Sequence, residues 1–171
     1  MAGASLTISW REEAVIAALR ALTAAIAHPK RVLINIGRSL RTSTIERFRT
    51  ERDPAGKAWI PSRRRAEGSP RPTLTLSSRL RNSISSRATD ADVRIGTNVG
   101  YAAIDQFGGT IRPKAAKALV FALPGGQWVT AKSVTIPRRE FLGVSAEDRQ
   151  EIIEIVRDAV ARATASGGAP A

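Results

Sequence analysis

Few residues of this chain could do covalent chemistry. Among 171 residues there is one histidine and no cysteine. The lack of cysteine removes disulfides, thiolate metal sites and cysteine nucleophiles together, and it fits a reducing compartment. A lone histidine, His28, excludes histidine-cluster metal sites and two-histidine relays. It stands before Pro29 at a helix junction, and no Gly-x-Ser-x-Gly turn offers it a serine, so a capping or exposed histidine is expected. Asp90 and Asp92 read as turn carboxylates bonding their own backbone, since an acid–base pair needs a cleft that a tight turn does not provide. Gly96, Gly100, Gly108 and Gly109 lack the Lys-Ser/Thr ending of a phosphate-cradling loop. No catalytic residue, cofactor site or metal site is expected, and the chain is read as a non-enzyme.

Binding chemistry is better represented. Lys and Arg number 27 against 15 Asp and Glu, a net charge of +12, which raises the surface potential and favours a polyanion nearby. Arg63, Arg64 and Arg65 form an uninterrupted run with Arg71 close behind. Guanidinium groups bond phosphate in a fork and stay charged at any working pH, so a loop carrying them could grip nucleic-acid backbone without reading sequence. A partner-protein contact and a merely solvated loop remain the alternatives. No aromatics are interleaved to stack on bases, so single-strand recognition is not supported. Charge is also unevenly spread. Residues 53–89 hold eight cations and two acids, whereas residues 145–162 hold three cations and five acids. Unlike patches suit head-to-tail contact between copies or a single DNA-facing side; alternatively, the acids favour the N-terminal dipole of a helix.

The elements that must position these residues read as one α+β domain over residues 1–171. A short β-leaning stretch at 5–10 precedes a helix opened by a Ser9–Glu12 capping box, with Val15, Leu19, Leu22 and Ile26 on one face. Pro29 ends it and suits the first turn of a second helix. That helix carries the inner stripe Leu33, Ile36, Leu40, Thr44 and Phe48 and is expected to end near Asp53-Pro54. Residues 53–73 are rich in Pro and Gly and predict a flexible basic loop with little regular structure, pinned at one end by Trp59. A short helix or turn at 74–84 leads to a hairpin of 84–89 and 93–97, then a short helix at 102–107 stopped by Gly108-Gly109. Residues 117–137 predict a second, protruding hairpin with strands at 119–123 and 128–136 around Pro124-Gly125-Gly126. Ser145 and Asp148 cap a last helix whose apolar face includes Ile152, Ile155, Val156, Ala159, Val160 and Ala163. Residues 164–171 are expected to be a disordered tail. Together these give a small mixed or antiparallel sheet with two or three helices packed on one side. No apolar run approaches the ~20 residues of a membrane helix, and residues 1–9 lack the pattern of a signal peptide.

Several segments resemble a known family. Pro54-Ala55-Gly56-Lys57-Ala58-Trp59 is similar to the Pro-x-Gly-x-x-Trp segment of phage virion morphogenesis proteins, the Mu-like tail completion family. Arg94-Ile95-Gly96-Thr97-Asn98-Val99-Gly100-Tyr101-Ala102-Ala103-Ile104, continued by Gln106-Phe107-Gly108-Gly109, resembles a second stretch of that family. Ile136-Pro137-Arg138-Arg139-Glu140-Phe141-Leu142-Gly143 resembles its third. Asp105 stands where the family often has His, Glu140 where it often has Pro, and Ser78 where it has Gly. Gly56, Trp59, Tyr101, Phe107, Gly108, Gly109, Pro137, Phe141, Leu142 and Gly143 are thereby expected to build a scaffold. Tyr101 and Phe107 would be aromatic anchors on one short helix, and Phe141 would insert into the core.

The resemblance implies a virion structural protein of the neck or tail end, assembled in the host cytoplasm. It implies a homo-oligomeric ring, a hexamer being the expected form, that caps the tail tube protein and meets the head–tail connector or adaptor proteins. Phage genomic DNA would pass through its channel, facing Arg63, Arg64, Arg65 and Arg71, and no membrane is involved. The second hairpin would be the arm that grips a neighbour, with Leu119, Phe121, Trp128 and Val134 at the subunit interface. The alternative is a basic protein that binds nucleic acid without sequence specificity.

Overall fold

The computed structural model describes residues 6–7, 13–26, 29–123 and 126–167. His28, the Ser9–Glu12 capping box, the Pro124-Gly125 part of the second turn and residues 168–171 lie outside the described residues. Strand β1 (Leu6–Thr7) precedes helices α1 (Glu13–Ala25) and α2 (Lys30–Thr50). Pro29 opens α2, where its missing N–H costs nothing. The helix stops three residues before the expected Asp53, because Glu51 turns left-handed at φ 55°. Two single turns follow, α3 (Arg63–Ala66) and α4 (Arg79–Asn82). So the segment 53–73, expected to have little regular structure, contains a helical turn, with Ser62 accepting a hydrogen bond from the Arg65 amide.

Strands β2 (Ser85–Ala88) and β3 (Val93–Thr97) form the expected first hairpin, and β1 adds to the other edge of β3. All pairings are antiparallel, with Ser86 opposite Ile95 and Leu6 opposite Thr97. Helix α2 crosses this sheet so closely that a Cβ on Gly37 would come within 3.2 Å of Val93 and 3.3 Å of Ser86. After α5 (Ala102–Phe107) come β4 (Gly109–Ile111), β5 (Leu119–Ala122), β6 (Trp128–Ala131) and β7 (Val134–Ile136), then α6 (Ala146–Gly167). The single small sheet expected is therefore three separate antiparallel sheets. The expected strand 128–136 breaks after Ala131: β6 pairs with β5, while β7 leaves to pair with β4, which the sequence had not suggested. Helix α6 extends to Gly167, so residues 164–167 of the expected tail are helical.

Two hydrophobic clusters hold the domain. One joins Phe48, Trp59, Leu80, Ile84, Phe141 and Leu142; Phe48 sits edge-on to Trp59 at 5.6 Å and tilted against Phe141 at 5.4 Å. The other joins Leu22 of α1 and Leu33 and Ile36 of α2 to Ile152, Val156 and Ala159 of α6. Val93 and Ala88 pack on the second cluster, which places α1, α2 and α6 on one side of the three-stranded sheet. Ser145 and Asp148 form the predicted box. The Ser145 hydroxyl accepts from the Asp148 amide at 3.1 Å and the Asp148 carboxylate from the Ser145 amide at 2.8 Å, satisfying two otherwise orphaned donors at the start of α6.

Candidate assembly site

The segments singled out in the sequence converge on one buried polar knot. Gln106 of α5 is fully buried. Its amide oxygen accepts from the Phe141 and Leu142 backbone amides at 3.1 and 3.0 Å, and its nitrogen donates to the Leu142 carbonyl at 2.9 Å. Arg47, four positions past Ser43 on α2, reaches the same loop from the other side. It donates to the Phe141 and Gly143 carbonyls at 3.0 and 2.9 Å, to Ser43, and to Asp148 of α6. Burial pushes the Arg47 guanidinium down and Asp148 pulls it back up. Every strong acceptor around it is therefore matched, which a buried charge requires. Gly143 closes the knot by necessity: a Cβ there would lie 2.2 Å from Pro54. Trp59 donates its indole N–H to the Glu140 carbonyl at 3.1 Å.

Arg139 extends the knot to the basic segment. Its guanidinium donates to the Ile60 and Pro61 carbonyls, and its amide to the Asp105 carbonyl. Burial raises the Asp105 carboxyl above the ordinary aspartate value, and the nearby Arg139 offsets this only in part. The four arginines read as a DNA-facing group are largely committed to their own loop. Arg64 donates to the Arg71 and Pro72 carbonyls and to Ser69. Arg65 donates to the Ser69 carbonyl and to Glu51. Arg71 donates to the Leu76 carbonyl at 2.8 Å, and Arg63 pairs with Glu67 at 2.7 Å. Glu51 anchors the whole segment, accepting from the Thr73 amide at 2.6 Å as well. Burial pushes its carboxyl up, but the bonds from Thr73 and Arg65 outweigh that and hold it low. Arg64 and Arg65 thus shape the loop, while Arg63 and Arg71 stay exposed.

The arm behaves in the opposite way. In the register of β5 and β6, Leu119 faces Ala131 and Phe121 faces Val129 on one side, and Val120 faces Thr130 and Ala122 faces Trp128 on the other. Both faces of a two-stranded ribbon are therefore apolar. Yet neither core cluster takes any residue from 108–138. Trp128 is 72% exposed and Val120 64%; Leu119, Phe121 and Val134 are half-buried. Tyr101 and Phe107, expected as inward anchors, are also on the surface, Phe107 at 57% exposure. The face of α5 that turns inward is Ala102, Asp105 and Gln106 instead, spaced i, i+3, i+4 as one side of a helix must be.

A family model for phage virion morphogenesis proteins matches residues 11–161. The chain belongs to the phage virion morphogenesis family. It is similar to the Mu-like prophage FluMu G protein 2 of Haemophilus influenzae, at 28% identity over 144 residues, which is 84% of this chain and 87% of that protein. No solved structure matches it. The three segments quoted for the family resemblance are the ones the knot ties together: Trp59 and Pro54 from the first, Gln106 from the second, Phe141 to Gly143 from the third. Gly108 belongs to the same logic. At φ 70° it passes the Arg138 backbone so closely that a Cβ would meet its nitrogen at 2.7 Å.

Five residues of this family member were not marked as site residues in the sequence: Arg47, Glu51, Asp105, Gln106 and Asp148. Arg47 looked like one more cation on a basic helix, although its place one residue before Phe48 on the inner stripe was visible. Its partners are 94 to 101 residues away, beyond any local pattern. Among the described residues, no group of His, Cys, Asp or Glu could hold a metal ion, and no helix is long and apolar enough to cross a membrane.

Proposed function

We propose that the protein is a structural subunit of the phage neck or tail end. Copies form a closed ring, a hexamer, at the head-proximal end of the tail. The ring caps the tail tube and meets the head–tail connector, and it works through contact surfaces rather than catalysis. The observation that carries this reading is the β5–β6 arm, an apolar ribbon without a core of its own. An isolated two-stranded hairpin is marginal in water, and exposed apolar patches of this kind mark interaction sites. Its position outside both clusters supports a role in gripping a neighbour, where Trp128 would supply the buried aromatic that interfaces favour.

Genomic DNA in the channel is supported by the +12 charge. With Arg64 and Arg65 tied inward, the DNA-facing group is redrawn to Arg63 and Arg71 with the exposed Arg79 and Arg87. The reading is tested by native mass measurement and negative-stain imaging of the full chain. Closed rings that stack on tail tubes support it. A monomer that retards DNA in a gel, with a steep loss on adding salt, would favour the nucleic-acid-binding alternative.

A further inference from the structure

The arm has a counterpart elsewhere in the molecule. Helices α1 and α6 leave between them a groove of about 530 Å³ lined by Ala14, Ala18, Ile153, Val156, Val160 and Ala161, with Arg157 at its rim. Small and branched apolar side chains there make a space of the size that takes a compact aromatic group. The groove is flanked by charge of one sign. Glu147, Glu151, Glu154 and Asp158 are all exposed and follow one another at i, i+4, i+7 and i+11, a single stripe along α6. The arm and its approach, residues 109–136, hold Arg112, Lys114, Lys117 and Lys132 and no acid. The ribbon is thus apolar with a cationic margin, and the groove apolar with an anionic margin.

The two surfaces also belong to different ends of the domain. The arm is rooted beside α5 and Arg138, next to the cluster of Phe48. The groove belongs to the cluster of Leu33 and Val156. At 1.5 Å rise per residue, Leu33 and Phe48 are about 22 Å apart along α2.

We infer that the β5–β6 arm of one copy docks in the α1–α6 groove of the next, with Trp128 seated between the helices and Lys117 and Lys132 against Glu154 and Asp158. This deepens the ring reading and rests on it, because it names the surface that receives the arm. The indole face meets Arg157, a favourable cation–aromatic contact. The contact is head-to-tail, so repeating it closes a ring when the rotation allows.

The chain has no cysteine, so engineered thiols report without background. Two full-length variants, Thr130→Cys on the exposed face of the arm and Ala161→Cys in the groove, are mixed and mildly oxidised. Both sites are exposed, so the fold is kept. The expected product is a disulfide between position 130 of one chain and position 161 of the other. It should exceed the product with a control variant, Ala103→Cys on α5, by about tenfold. Glu154→Lys with Asp158→Lys should weaken assembly, and Lys117→Glu with Lys132→Glu in the same chain should restore it; Trp128→Ala should weaken it about thirtyfold. Linkage of 130 to 103, linkage of 130 to 130, or no linkage in a protein that is oligomeric by mass would overturn the docking site while leaving the ring standing. A monomer under all conditions would overturn both.

Discussion

The knot around Arg47 and the β5–β6 arm are opposite uses of side chains within one domain. In the knot, a charged residue that is 6% exposed satisfies carbonyls and a carboxylate drawn from α2, α6 and the loop between β7 and α6. In the arm, a tryptophan that is 72% exposed contributes to no cluster at all. Polar groups went inside where their bonds define how three segments meet, and apolar groups stayed outside where no part of the same chain covers them. Burial in this family member therefore separates what specifies the fold from what remains for a neighbour better than polarity does.

That contrast can be broken most forcefully at its buried pole. Arg47→Ala leaves Asp148 and the Phe141 and Gly143 carbonyls without their donor, and breaking a buried pair costs ~3–5 kcal/mol. Urea unfolding should show a loss of that size, and a loss below about 1 kcal/mol would show that the knot is dispensable. Gly143→Ala is next. The added methyl must push Pro54 aside, an overpacking cost of ~1–3 kcal/mol, measurable in the same titration.

Asp105→Asn is smaller and of opposite sign. The Asp105 carboxyl is raised above 3.8 in the fold, so the folded chain holds that proton more tightly than the unfolded one. Stability from this group is full below 3.8 and falls as pH rises through the folded value. The asparagine variant lacks that fall. It should melt slightly higher than the parent at neutral pH and show a flatter profile between acid and neutral conditions. A lower melting temperature at neutral pH would mean that the attraction to Arg139 outweighs burial. The smallest effect on the monomer is predicted for Trp128→Ala, within about 0.5 kcal/mol, even though the same change should lower the assembled fraction seen by native mass measurement. A large loss of monomer stability would place Trp128 in the fold and remove the contrast altogether.

The sequence showed the helical frame well because its signals are local: Pro29 before α2, the Ser145–Asp148 box before α6, and apolar stripes at helical spacing. The first hairpin was legible for the same reason. The arm was visible as a hairpin, but its division was not, since the change of partner after Ala131 depends on β4, three residues beginning at a glycine. Tyr101 and Phe107 were misplaced because residue type was followed instead of phase; α5 buries Ala102, Asp105 and Gln106. The arginine run was read as a free binding loop because its acceptors are carbonyls, which every residue carries and no spacing reveals, and because Glu51 lies 14 residues before Arg65.

Leu40 packs against both hydrophobic clusters, near the middle of an uninterrupted 21-residue helix. One rigid rod thus serves as the shared wall of two compartments, with no hinge between them. The domain should denature in a single cooperative step despite its divided interior. A pull applied through the ribbon would travel along α2 to the distant helices instead of being absorbed by bending.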